Sequence, residues 1–236
     1  MRDRQNEQDC IDLVLRNLDE NIYYACSSDD KALIKTSFRS AKRGSDKNKF
    51  PDFICDNGFI EHFEVTSSRS NRKGSKMKQE TDQFHKNNES HMWYSQHSYE
   101  QFCTSLKKIW NRHFNNFQIY KGNKKIGIFL IEYNDSALVT DVVYPNTKHE
   151  LLYGDLLDRQ VSKIYRLTRD AQILEFIYNF KKDIRYVAFI NKDAFNGRLC
   201  ELIAVDNIPE ILKIIKEKYS FHCKQIGVGK FERMDI

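Results

Sequence analysis

Residues 50–68 read FPDFICDNGFIEHFEVTSS, from Phe50 to Ser68. Two runs rich in β-branched and aromatic residues flank the turn signal Asp56-Asn57-Gly58, so the stretch reads as a β-hairpin. One acid, Asp52, stands at the start of the first strand, and a second, Glu64, lies well along the return strand. Carboxylates on adjacent strands suit Mg²⁺, which takes oxygen ligands and is usually held by one or two carboxylates plus water and substrate phosphate. Whether the acids meet depends on the turn. A two-residue Asn57-Gly58 turn sets Asp52 opposite Phe63, sends Glu64 to the other face and leaves Glu61 as partner. A three-residue loop, with Gly58 left-handed in a bulge, sets Asp52 opposite His62 and brings Glu64 to the same face. The second register gathers Phe53, Cys55, Phe59, Phe63 and Val65 on one side, which separates apolar from polar side chains better, and it is the register expected.

On either side of the hairpin the chain alternates helix and strand. Residues 4–18 predict a helix with Ile11, Val14, Leu15 and Leu18 on one stripe, and Glu7 points along that stripe. A first-turn acid of this kind is also favoured by the helix dipole alone. Residues 20–34 read as a short strand or turn and a polar loop, and 74–90 as an exposed helix or loop. Residues 98–114 predict a helix whose inner face carries Phe102, Leu106, Ile109 and His113, continuing to Phe117; His113 is expected as a packed core histidine. IGIFLIE (126–132) reads as a buried central strand, with a shorter strand at 138–143. A helix-rich stretch follows from about 150 to 181. Strands at 185–190 and 198–205 bracket Asn196-Gly197, and a helix over 208–219 follows Asn207, with Pro209 in its first turn. The order implies an α/β (α+β) fold with a mixed central sheet, an antiparallel hairpin meander and flanking helices.

At 236 residues, 40% hydrophobic and 13% aromatic, the chain can bury a core. No run of 18 apolar residues exists, so no membrane-spanning helix is expected. MRDRQNEQDC has no apolar stretch of signal-peptide type. Six scattered cysteines (Cys10, Cys26, Cys55, Cys103, Cys200, Cys223) with no CxxC pair suggest free thiols in a cytoplasmic setting. The net charge is only +5, but residues 35–49 and 69–78 each carry a local excess of five positive charges. These segments include Lys42 and Arg43, then Arg69, Arg72, Lys73 and Lys78, and they flank the acidic hairpin. Such flanks suit a nucleic-acid backbone, although charge runs are often simply solvated loops. His85, His91 and His97 recur at a spacing that suits no metal module, and no phosphate-binding glycine loop or HExxH is present.

Pro51-Asp52, followed twelve positions on by Glu64-Val65-Thr66, resembles the PD-(D/E)XK nuclease superfamily, with Thr66 where the signature lysine would stand. The resemblance covers roughly residues 5–132, so a nuclease core over 1–135 is expected, with 136–236 as the remainder of the same domain or an extension. It implies a restriction-endonuclease-like fold and Mg²⁺- or Mn²⁺-dependent hydrolysis of DNA. It also implies metal ligation by Asp52, Glu64, the Val65 carbonyl and, optionally, Glu7. The lysine's role passes to a migrated residue, Lys76 being first choice ahead of Lys73 and Lys78, or the module binds nucleic acid without cutting it. His62 would serve as base, extra ligand or structural residue. A homodimer is left open.

Overall fold

In the computed structural model the described residues are 2–44, 50–67, 92–93, 98–133, 138–143, 161–162, 165–192, 199–218, 220–225 and 230–231. The chain opens with helix α1 (Arg2–Asn17), the short strand β1 (Tyr23–Tyr24) and helix α2 (Ser28–Ser40). A meander follows: β2 (Lys42–Arg43), β3 (Phe53–Cys55) and β4 (Gly58–Val65). After β5 (Met92–Trp93) come the long helix α3 (Tyr99–Ile119), β6 (Ile126–Tyr133), β7 (Leu138–Val143) and β8 (Val161–Ser162). The last elements are α4 (Ala171–Tyr178), β9 (Tyr186–Asn191), β10 (Leu199–Ala204), α5 (Ile208–Lys218), β11 (Ser220–Gln225) and β12 (Lys230–Phe231).

Seven strands form the central mixed sheet in the order β1-β10-β9-β6-β4-β3-β2, so strands from both halves of the chain share it. β4, β6 and β9 run parallel in its middle, and the β2-β3-β4 meander is antiparallel. β7, β8 and β11 make a second small sheet, and β5 pairs with β12. Side-chain alternation sends each central strand's residues into two separate cores. Phe59, Phe63, Phe129, Ile131, Val187 and Phe189 pack under α3, α4 and α5, around the fully buried Trp110. Ile60, Ile128, Leu130, Ala188 and Ile190 pack under α1 and α2, against Ile11, Val14, Ile34 and Phe38. The chain is therefore an α/β protein with helices on both faces of a mixed sheet, and among the described residues no helix is long and apolar enough to cross a membrane.

The central strand, the amphipathic first helix and the later strand pair lie where the sequence places them. The α2 segment does not: residues 28–40 are helical where the reading to residue 34 has a loop. The helix starts at a capping box, in which Ser27 Oγ accepts from the Asp30 N–H at 3.1 Å and Asp30 Oδ2 accepts from the Ser27 N–H at 3.0 Å. The 74–90 segment, the Asn196-Gly197 pair and residues 150–160 lie outside the described residues.

The hairpin register is a second correction. Phe53 lies opposite Ile60, Ile54 opposite Phe59 and Cys55 opposite Gly58, so the turn is the two residues Asp56-Asn57. Gly58 is neither a left-handed bulge residue nor part of the turn; it is the first residue of β4. A Cβ there would fall 1.8 Å from the Ile126 carbonyl oxygen, which makes glycine a requirement of the close β4–β6 approach. Polarity does not set the register because β4 has no wet face: it is buried on both sides, with only Glu64 exposed along its length.

Gly58→Ala should accordingly force β4 and β6 apart and lower stability by about 2–3 kcal/mol. The urea-unfolding midpoint reads this directly, and a change below about 0.5 kcal/mol would mean that the strands do not need this approach.

Candidate active site

With Phe53 opposite Ile60, the position opposite Asp52 is Glu61, not His62. β3 begins only at Phe53, so at Asp52 the backbone ladder gives way to side chains. Asp52 N–H donates to Glu61 Oε2 at 3.0 Å, and His62 N–H donates to Asp52 Oδ2 at 2.8 Å. Asp52 is half-buried and Glu61 is buried. Burial, reinforced by the charge of Glu61, pushes the Asp52 carboxyl up to about 6. Burial also pushes Glu61 up to about 7, against the hydrogen bonds from Asp52. A divalent cation beside two adjacent carboxyls that both resist ionisation would favour their charged forms.

The α3 helix supplies the rest of this group. His113 stacks on Phe63 with ring centroids 4.8 Å apart, and its Nδ1 lies 2.5 Å from Glu61 Oε1. On its other side, Nε2 lies 3.2 Å from Nη2 of the exposed Arg112. A guanidinium can only donate, so Nε2 accepts and the ring proton sits on Nδ1, pointing at Glu61. Burial, then the Arg112 charge, lowers the His113 pKa to about 4, keeping the ring neutral. The line Arg112–His113–Glu61–Asp52 thus runs from solvent into the carboxyl pair. The reading of His113 as a core histidine captured its packing and missed its hydrogen bonds.

Glu64 is not part of this group. Side chains alternate along β4, so Glu61 faces α3, whereas His62 and Glu64 face α1. Glu64 stands level with Glu132 of β6 in the parallel pairing. On this face Glu132 is fully buried and is held by three groups from separate parts of the chain. His62 Nε2 lies 3.0 Å from its Oε2, Asn6 Nδ2 donates to Oε2 at 2.6 Å, and Lys192 Nζ lies 2.9 Å from Oε1. Asn6 Oδ1 in turn accepts from Lys192 at 2.8 Å, and Cys10 lies against the same group. Burial opposes charge on His62, but its contacts with Cys10 and Glu132 prevail and raise it to about 10. Burial likewise works against ionised Glu132, and its contacts with His62 and Lys192 win, lowering it to about 2.

Among the other residues singled out from sequence, Glu7 on α1 is half-buried and its Oε2 is 3.7 Å from Arg43 Nη1. Arg43 also reaches Gln8 and lies over the Phe53 ring, so much of its charge is used within the protein. Lys42 is exposed on the edge strand β2, Val65 is buried on the α3 side, and Thr66 is half-buried just beyond β4. Arg69, Arg72, Lys73, Lys76 and Lys78 lie outside the described residues. Sequence reasoning missed Glu132 and Lys192 because each sits in or beside an apolar strand, where nothing in the residue order pairs them with Cys10, Asn6 and His62. No family model matches the chain, and neither a curated protein nor a solved structure matches it.

The His62–Glu132 contact has a defined pH signature. Its contribution is complete between the ordinary values of the two groups, 4.5 and 6.5, and is lost as pH rises toward about 10. The metal-free protein should therefore lose stability between pH 7 and 10, and His62→Gln should remove on the order of 2 kcal/mol of that loss. Urea unfolding at several pH values checks this, and an unchanged slope in the variant would contradict it.

Proposed function

We propose that the protein hydrolyses phosphodiester bonds in DNA with a divalent metal held by Asp52 and Glu61. The observation that carries this reading is the hydrogen-bonded carboxyl pair at the point where β3 leaves β4, beside an exposed arginine. The order of elements supports it as well: apart from the inserted β1 and α2, it is a helix, an antiparallel meander, a further helix and a strand parallel to the last of the meander. That is the arrangement the PD-(D/E)XK resemblance implies. Oxygen ligands from one or two carboxylates suit Mg²⁺ or Mn²⁺.

Bound there, the metal supplies Lewis acidity and acidifies its water. The chain's own residues do the positioning. His62 N–H fixes one oxygen of Asp52, and Asp52 N–H with His113 fixes both oxygens of Glu61. Arg112 holds the His113 tautomer and keeps further N–H donors at the surface, where they suit the oxygens of a phosphate. Arg112 thereby brings to the site the positive charge that Thr66 does not. The basic run around Lys42 and the one containing Arg69, Arg72, Lys73, Lys76 and Lys78 would track the DNA backbone, giving salt-sensitive binding. A reducing cytoplasmic setting is consistent with free Cys10, Cys26, Cys55, Cys103 and Cys200.

Supercoiled plasmid should be nicked with Mg²⁺ or Mn²⁺ and left intact with EDTA. Asp52→Asn and Glu61→Gln should each lower the rate about 100-fold or more while DNA binding persists, and Arg112→Ala should give a smaller loss. Glu64→Ala should cut at near the parental rate. Loss of cutting in Glu64→Ala with retention in Glu61→Gln would overturn this site, and salt-dependent binding without any cutting would leave a silent binding module.

A further inference from the structure

The α1 side of β4 carries a second cluster with a different chemistry. The ligand atoms of Cys10, His62 and Glu132 all lie within 4.8 Å of one another. Cys10 and Glu132 are fully buried, and His62 is nearly so. From these three side chains we infer a second cation site, for a borderline-soft divalent ion of the zinc class, that joins α1 to the two central strands β4 and β6.

Three observations carry it. The donor set is one sulfur, one nitrogen and one oxygen, which suits zinc, whereas a thiolate does not suit Mg²⁺. The spacing is close to what coordination needs. Zinc bonds of about 2.0–2.3 Å put tetrahedral ligand atoms roughly 3.3–3.6 Å apart, so shifts of about an ångström suffice. His62 Nε2 and Glu132 Oε2 are already 3.0 Å apart. Finally, the enclosed Glu132 Oε1 already faces a cation. The Lys192 ammonium stands 2.9 Å from it.

The surroundings resemble a prepared second layer. Asn6, one turn before Cys10 on α1, donates to Glu132 Oε2 and orients the carboxylate. The His62 backbone is pinned by Asp52 from the other side of the strand. Lys192 touches both Cys10 and Glu132, so in the metal-free protein its ammonium supplies the countercharge. Its long stem lets it withdraw when an ion enters. Three protein ligands leave the fourth position to water. The inference stands apart from the proposed DNA hydrolysis: the two share only His62, whose backbone N–H serves Asp52 while its ring serves this cluster.

The test is titration of the metal-free protein with Co²⁺ followed by Zn²⁺, read by visible absorption and by thermal unfolding. One equivalent of Co²⁺ should give four-coordinate d–d bands with thiolate charge transfer, Zn²⁺ should displace it, and the melting temperature should rise. Cys10→Ser should remove the charge-transfer band and weaken binding more than about tenfold. Lys192→Met, which removes the competing cation, should tighten Co²⁺ binding by about tenfold. Asp52→Asn should leave the spectrum unchanged, which separates this site from the carboxyl pair. A thiolate band that survives Cys10→Ser, or no cobalt binding in either wild type or Lys192→Met, would overturn the assignment.

Discussion

The parallel pairing of β4 with β6 is the constraint on which the rest depends. Gly58 sets it, because its missing Cβ lets the backbone approach Ile126, and the pairing then runs unbroken from Gly58–Ile126 to Val65–Tyr133. Both strands are buried on both faces, so every side chain along them is committed to one helical layer or the other. A one-residue slip would exchange the two sets and drive Phe59 and Phe63 out of the core around Trp110. Glu61 therefore must face α3, and His62 and Glu132 must face α1.

That commitment places ionisable groups inside the protein, where charge is costly. The two faces of β4 handle this in opposite ways. On the α1 side, opposite charges meet: His62 and Lys192 surround Glu132, and the group is held together by its own attraction. On the α3 side two acids meet, with a neutral histidine as their nearest ring. The first arrangement stabilises the fold. The second stores unfavourable charge at a half-buried position, and perturbed titration of this kind clusters at functional sites.

Much of the architecture was legible in sequence because it depends on local pattern. IGIFLIE could hardly be other than a buried strand, and the stripe of Phe102, Leu106 and Phe117 marks one side of α3. The position of Asp52 at the mouth of a hairpin was legible too. Its partner was not, because that choice turns on whether Gly58 belongs to the turn or the strand, and β6 decides it from about seventy residues away. The capping pair Ser27 and Asp30 shows a different failure: the signal for α2 was present in the residues and was outweighed by the polarity around it. Glu132 and Lys192 illustrate the limit of pattern reading, since their meaning arises only when α1, β4, β6 and β9 come together.

The central claim is that Asp52 and Glu61 form one coupled carboxyl pair. It is tested most directly by NMR titration of the side-chain carboxyl carbons of Asp52, Glu61 and Glu64, with and without Mg²⁺. The account predicts that Asp52 titrates near 6 and Glu61 near 7, that Glu61→Gln lowers the Asp52 value, and that Mg²⁺ lowers both in the wild-type protein. An Asp52 that titrates in the ordinary carboxylate range, or that responds to Glu64→Gln and not to Glu61→Gln, would contradict it.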